Sequence, residues 1–433
     1  MTGDVNAMAY SRMDYDKLKR KLKKQQRQKR RLGLLSLMMI VLLIGLSGFW
    51  YPLLAEYFPL PSGDSVNETL VTSETTTEVT EASTETESEP TQAAFSPRFL
   101  MTKPTQVPAL FSPLATSLET LIGEQEVSGS ILAVKNNQVI LYDNYGAAAK
   151  VSKDPTTSTY MLASMQKSIT ALLVMKQIEA GHLTLKTTLD NFYPTIPNSE
   201  NITIDQLLSM TSGLYLDDKL KETSSTQDSL DYMEQHVVYR PMSAWKYSYV
   251  NYTLLASIIE KVSDASYEEN FNTTIKEPLH LKETGFYTDD TAYEHMILSQ
   301  TYKDGKLQEP KKIKEAVLIN EFGTGNMYAS VGDYLIILQS LMDGYILSPP
   351  AIQALFTREP EPYRYLYKSG FYATDTGYRA HGVFRGYEPT MQISADGSDA
   401  VIFFSNIYTE DERNMTLVNT MYNTLHSYIV TNP

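Results

Sequence analysis

Residues Leu32 to Tyr51 (LGLLSLMMIVLLIGLSGFWY) form an apolar run without a single charge, directly after a densely basic block, and this feature divides everything else in the chain. About 20 apolar residues, at a rise of about 1.5 Å each, match the hydrocarbon thickness of a bilayer. The run predicts one transmembrane helix, with the anchor spanning 32–54. The preceding residues 1–31 include KLKRKLKKQQRQKRR and are expected to form a cytoplasmic tail, while Phe49, Trp50 and Tyr51 mark the outer interface. Such a tail explains the basic block without nucleic acid as a partner; membrane lipid around the helix is the expected one. A cleaved secretory signal is the alternative, and the long basic region and the lack of a nearby small-residue cleavage pattern argue against it.

Beyond the anchor, residues 55–108 turn to Thr, Ser and Glu (VTSETTTEVTEASTETESEP), with no basic residue between Asp64 and Pro90. Such a stretch buries too little apolar surface to offset its ordering entropy, so it is expected to be an extended acidic spacer. The chain has no cysteine, which excludes a lipoprotein anchor and disulfide stapling. A globular pattern begins near Ala109 and continues, so one folded domain is expected over 109–433.

Strand signals sit at both ends of that domain. Ser128–Tyr142 (SGSILAVKNNQVILY) places two apolar runs around Asn136-Asn137, and Thr390–Ser405 (TMQISADGSDAVIFFS) does the same around Asp396-Gly397. Between them apolar residues recur at helical spacing, as in Leu254, Leu255, Ile258, Ile259 and Val262. The expected fold is α/β (α+β): an antiparallel sheet built from both ends of the domain, flanked by helices, with a separate helical region.

Ser164-Met165-Gln166-Lys167 is an S-x-x-K. Residues three apart on a helix share a face, so an amine there can take the hydroxyl's proton if burial lowers its pKa. Spacing alone is weak, because Ser243-Ala244-Trp245-Lys246 repeats it. Ser164, unlike Ser243, opens a strongly apolar helix that closes at Gly181, and a helix N-terminus favours developing negative charge. An ordinary N-cap is the plain alternative.

Most of Val127 to Ile407 resembles the serine penicillin-recognising hydrolases, a β-lactamase/transpeptidase-like family, and in particular their class C β-lactamase-like branch. The resemblance runs, in order, through LASMQKSITALLVMKQIEAGHLTLKTTLDNFYP, ITIDQLLSMTSGL, KYSYVNYTLLASIIEKVSDASYEENF and KEPLHLKETGFY. It implies a nucleophile at Ser164 and a base at Lys167. The family's second motif, Tyr-x-Asn, falls on Tyr247-Ser248-Tyr249 when aligned without gaps, which keeps the proton-shuttling tyrosine as Tyr247 and replaces the amide-binding asparagine by Tyr249. Tyr249-Val250-Asn251 fits by letters only if the following helix slips by two residues. The third motif resembles His381-Gly382-Val383, with valine where the family has its last glycine. It implies a substrate-binding strand and one oxyanion donor.

No cofactor or metal is expected: a G-x-S-x-G elbow and a phosphate-binding glycine loop are lacking, and the six histidines form no i, i+4 pair. The resemblance implies acyl transfer on D-alanyl groups of the cell envelope in a Gram-positive bacterium. Teichoic-acid esters and peptidoglycan D-alanyl-D-alanine termini are the expected polymer partners. A non-catalytic binding or sensing module is the rival reading, and a β-lactamase a weaker one.

Overall fold

The computed structural model describes residues 95–98, 104, 106–217, 223–241, 245–303, 305–358 and 366–429. The anchor at 32–54, the tail at 1–31, most of the 55–108 spacer, and Ser243 lie outside the described residues. Among those described, no helix is long and apolar enough to cross a membrane.

Helix α1 (Ser112–Gly123) leads into the hairpin β1 (Gly129–Lys135) and β2 (Gln138–Tyr145). Its turn is Asn136-Asn137, both left-handed at φ 51° and 61°, the geometry whose twist suits a two-residue hairpin and which asparagine tolerates. A short strand, β3 (Tyr160–Met161), precedes helix α2 (Gln166–Glu179), which stops two residues before Gly181. Then follow α3 (Ile204–Leu208), α4 (Val250–Ser263), β4 (Thr284–Phe286), β5 (Met327–Ala329) and α5 (Val331–Met342). The chain ends with β6 (Tyr367–Lys368), β7 (Phe371–Ala373), β8 (Gly377–His381), β9 (Glu388–Ser394), β10 (Ala400–Ser405) and α6 (Arg413–His426).

Seven strands form the main antiparallel sheet in the order β6-β7-β8-β9-β10-β1-β2. The first hairpin therefore joins the last at β1–β10, from Gly129 opposite Ser405 to Val134 opposite Ala400. Side chains alternate across this seam. Ile131, Ala133, Val401 and Phe403 pack beneath α1 and α6, whereas Leu132, Val134, Ile402 and Phe404 join the larger core holding α2, α4 and α5. Both faces are covered by helices, so β1 and β10 are buried along their whole length, with no exposed alternate. A buried pair ties the hairpin tips: Lys135 Nζ lies 2.9 Å from Asp399 Oδ2, which also meets His426 Nδ1 at 2.9 Å.

The expected architecture of a sheet built from both ends and a separate helical region is what the chain adopts. The folded unit also takes in residues upstream of Ala109, since Phe95 packs on Tyr345 and Arg98 pairs with Asp343.

Candidate active site

Ser164 sits where strand becomes helix. β3 pairs with β5, Leu162 N–H bonds to the Met327 carbonyl at 2.8 Å, and the chain then turns sharply through Ala163, whose φ of 46° is left-handed and strained for a residue with a side chain. Ser164 follows in a short turn, Ala163–Met165, that runs into α2. One turn further, Lys167 is 1% exposed, with Nζ 3.1 Å from Ser164 Oγ and 3.0 Å from the Thr324 carbonyl. Burial lowers the Lys167 pKa from 10.5 to about 8, against the opposing charge of Glu321. A lysine so poised is neutral often enough near pH 7 to take a proton from the serine.

Tyr247 approaches from the helical region and donates its hydroxyl to Ser164 Oγ at 2.9 Å. Its ring packs edge-on to Trp245 and Tyr367 and is partly open to solvent, while its hydroxyl is turned into the site. Desolvation raises its pKa well above the phenol range, so it is a neutral donor at any working pH. Ser164 Oγ thus touches one amine and one phenol.

On the other side, β8 ends at His381 and the chain passes Ser164 through Gly382. A methyl group on Gly382 would lie 2.8 Å from the Ser164 backbone nitrogen and 2.9 Å from the Leu162 carbonyl, so no larger residue fits without moving backbone. Gly382 N–H is taken by the Pro389 carbonyl, while the N–H groups of Ser164 and Val383 have no acceptor among the described residues. Two unsatisfied donors flanking a nucleophile can hold an oxyanion, and Val383, whose N–H is one of them, is 40% exposed. His381 is occupied with Glu388, Nε2 to Oε1 at 3.1 Å, and therefore braces the β8–β9 ladder rather than reaching Ser164.

The second-motif tyrosines separate. Tyr249 is the N-cap of α4, half-buried against the core, and it is Tyr247 that contacts the serine. Asn251 is buried and turned away: its Oδ1 accepts from Ser212 at 2.5 Å and its Nδ2 donates to the Ser248 carbonyl at 2.9 Å. It locks the T-S-G-L loop to α4, so the Asn251 amide is committed to the fold.

The sequence reading missed the Phe322–Met327 segment. Thr324 offers its carbonyl to Lys167, and Asn326 Oδ1 and Met327 N–H clasp the Gln166 side chain at 2.9 and 3.0 Å. Glu321, immediately before this segment, accepts from Thr324 Oγ1 at 3.0 Å and has its pKa raised by burial. The spacing Gly323-Thr324-Gly325 was the available signal: a methyl group on Gly325 would sit 2.9 Å from Glu321 Oε2 and 3.3 Å from Ala163 Cα.

Comparison with known proteins gives consistent matches. The family model described as Beta-lactamase matches residues 114–416. The penicillin-binding protein PbpX of Bacillus subtilis is 28% identical over 283 residues, covering 65% of this chain and 71% of that protein. A teichoic acid D-alanine hydrolase of Staphylococcus aureus is 27% identical over 269 residues, 60% of this chain and 66% of that protein. Among solved structures, FmtA from Staphylococcus aureus has a TM-score of 0.65 at 22% identity over 76% of this chain and 92% of its own. The D-amino acid amidase from Ochrobactrum anthropi reaches 0.60 at 19% identity over 74% and 98%.

Proposed function

The chain belongs to the beta-lactamase family, and from that premise we propose that it is a serine hydrolase that removes D-alanine from ester linkage on an envelope polymer. The observation that carries the reading is the double contact on Ser164 Oγ, by Lys167 Nζ at 3.1 Å and Tyr247 hydroxyl at 2.9 Å. Neutral Lys167 takes the Ser164 proton as Oγ attacks the acyl carbon. The carbonyl oxygen becomes an oxyanion held by the N–H groups of Ser164 and Val383. Lys167, through Tyr247, returns the proton to the departing alcohol oxygen as the ester C–O bond breaks, leaving D-alanyl on Ser164. Water, deprotonated by the same pair, then attacks the acyl-enzyme, releasing D-alanine and restoring the serine hydroxyl.

Ester is favoured over peptide by what stands beside the site. An asparagine carboxamide pairs with an amide at two points, through a separate N–H donor and carbonyl acceptor; at that place the chain has Tyr249, whose single hydroxyl oxygen cannot reproduce that pairing, while Asn251 is consumed by Ser212. The relative named as a teichoic acid D-alanine hydrolase supports the same substrate class. The apolar run at 32–54 and the acidic spacer up to residue 108 would tether the domain outside the membrane, within reach of such a polymer. A pure binding module has no use for a lysine buried at 1% exposure, whose charge costs free energy to desolvate.

The test is D-alanine release by the chain from D-alanylated teichoic acid and from a D-alanyl-D-alanine peptide, with Ser164→Ala as control and fluorophosphonate labelling of Ser164 in parallel. Release from the ester that disappears in the variant is expected. Cleavage of the peptide with the ester left intact would overturn the substrate assignment, and failure of both, with no labelling, would overturn the enzyme.

A further inference from the structure

Beside the serine site, at the turn that follows Val383, the surface opens into a cleft of about 510 Å³ lined by Lys303, Lys311, Lys312, Lys314 and Arg385, with Glu309 as its one carboxylate. This is the reverse of the chain's net charge of −14. Among the described residues none of the five cations makes an ion pair; Lys312 leans on the Tyr293 ring at 4.2 Å. Gathering five like charges around a single lining carboxylate raises the free energy of the empty surface, and an anion that enters relieves it.

A single turn of chain links the cleft to the site. Arg385 lies two residues past Val383, in a turn closed by the Phe384–Tyr387 bridge, and its carbonyl is fixed by Ser299 Oγ at 2.7 Å. Its φ of 50° is left-handed, so the turn is held rather than relaxed. The charges of Lys167 and Arg385 both oppose the burial that raises the Glu321 pKa, so cleft and nucleophile lie within electrostatic reach of one group. Thr301 and Gln308 add polar side chains to the lining.

We infer that this cleft holds the phosphodiester backbone of the substrate polymer, threading it so that a pendant D-alanyl ester reaches Ser164. The inference rests on the esterase reading above and deepens it. A guanidinium and several ammonium groups suit repeated phosphates, which present oxygens in every direction along a flexible chain. A stem peptide has no such repeat, so the cleft selects polymer over peptide independently of Tyr249.

The full-length chain and a Lys303→Gln/Lys311→Gln/Lys314→Gln variant are compared, all three lysines being exposed so that neutralisation disturbs no packing. Binding of unsubstituted poly(glycerol phosphate), which has no ester to cleave, is expected to weaken about tenfold or more in the variant, and wild-type binding to fall more steeply with added salt than the variant's. The ratio of kcat/KM on D-alanylated polymer to that on D-alanyl glycerol should drop by a similar factor, because the small ester does not reach the cleft. Equal binding by both proteins, or tighter wild-type binding of poly-glutamate than of poly(glycerol phosphate), overturns the phosphodiester assignment. If neither ester is cleaved, the esterase reading fails, and the binding measurement still decides the cleft.

Discussion

The burial of Lys167 sets a rate profile and a stability profile with opposite burdens at neutral pH. Its pKa is depressed from 10.5 to about 8. If the neutral amine is the base, kcat/KM reaches its plateau above pH 8 and falls about tenfold per unit below it, leaving roughly one hundredth of the plateau at pH 6. Release of D-alanine from a D-alanyl ester between pH 5.5 and 9, corrected for spontaneous alkaline hydrolysis, measures this limb. Glu321 favours the charged lysine, so Glu321→Gln moves the limb to lower pH. For stability, the unfolded lysine holds its proton up to 10.5 while the folded one sheds it near 8, so the chain gains stability as pH rises through that window. Below pH 8 the full cost of the buried charge is present, about 3 kcal/mol for the shift before hydrogen bonds to Ser164 and Thr324 offset part of it. Lys167→Met should therefore be inactive yet more stable in urea at pH 7, by up to that amount. A flat rate profile from pH 6 to 9, or a less stable Lys167→Met, would refute the assignment of a desolvated base.

Tyr247→Phe removes the hydroxyl on Ser164 and is expected to lower kcat by about 100-fold or more with KM little changed, as steady-state kinetics on the ester will show. Gly382→Ala forces a methyl group to 2.8 Å from the Ser164 nitrogen; a loss of about 100-fold in kcat, with fluorophosphonate labelling slowed in step, is expected from a displaced oxyanion donor. Tyr249→Asn restores a carboxamide that can pair with an amide at two points, and should raise peptide cleavage relative to ester cleavage by about tenfold in competition assays; an unchanged ratio removes the reason given for ester preference. Asp399→Ala strips the counter-charge from Lys135, which is 6% exposed, and should cost about 3–5 kcal/mol in chemical denaturation.

What could be read from the sequence was local. The Asn136-Asn137 and Asp396-Gly397 hairpins announce themselves within a dozen residues, and the helix after Ser164 distinguishes it from Ser243 because apolar periodicity is a property of one segment. Register along α4 pointed to Tyr247 rather than Tyr249 for the same reason, many apolar positions outweighing one asparagine. The residues left unread meet only after folding. Thr324 contacts a lysine 157 positions away, and Arg385 joins lysines more than 70 positions before it in the chain. Nor could the letters tell that Asn251 is spent on Ser212, because a hydrogen bond across loops leaves no periodic trace. The hold of Glu388 on His381, made between neighbouring strands, leaves no trace there either.

The seam between the first and last hairpins governs when this protein can exist as a folded object. Ser405 Oγ donates to the Ser128 carbonyl across 277 residues of chain, so the central strand pair cannot zip until nearly the whole polypeptide is present. Closing so long a loop is slow because its entropy is spent before the contacts reward it. A nascent chain would keep β1 and β2 as an unpartnered hairpin, exposing the strand edge that later meets β10. That delay makes the interval before the last hairpin arrives the one in which chaperones or proteases have access to the open edge.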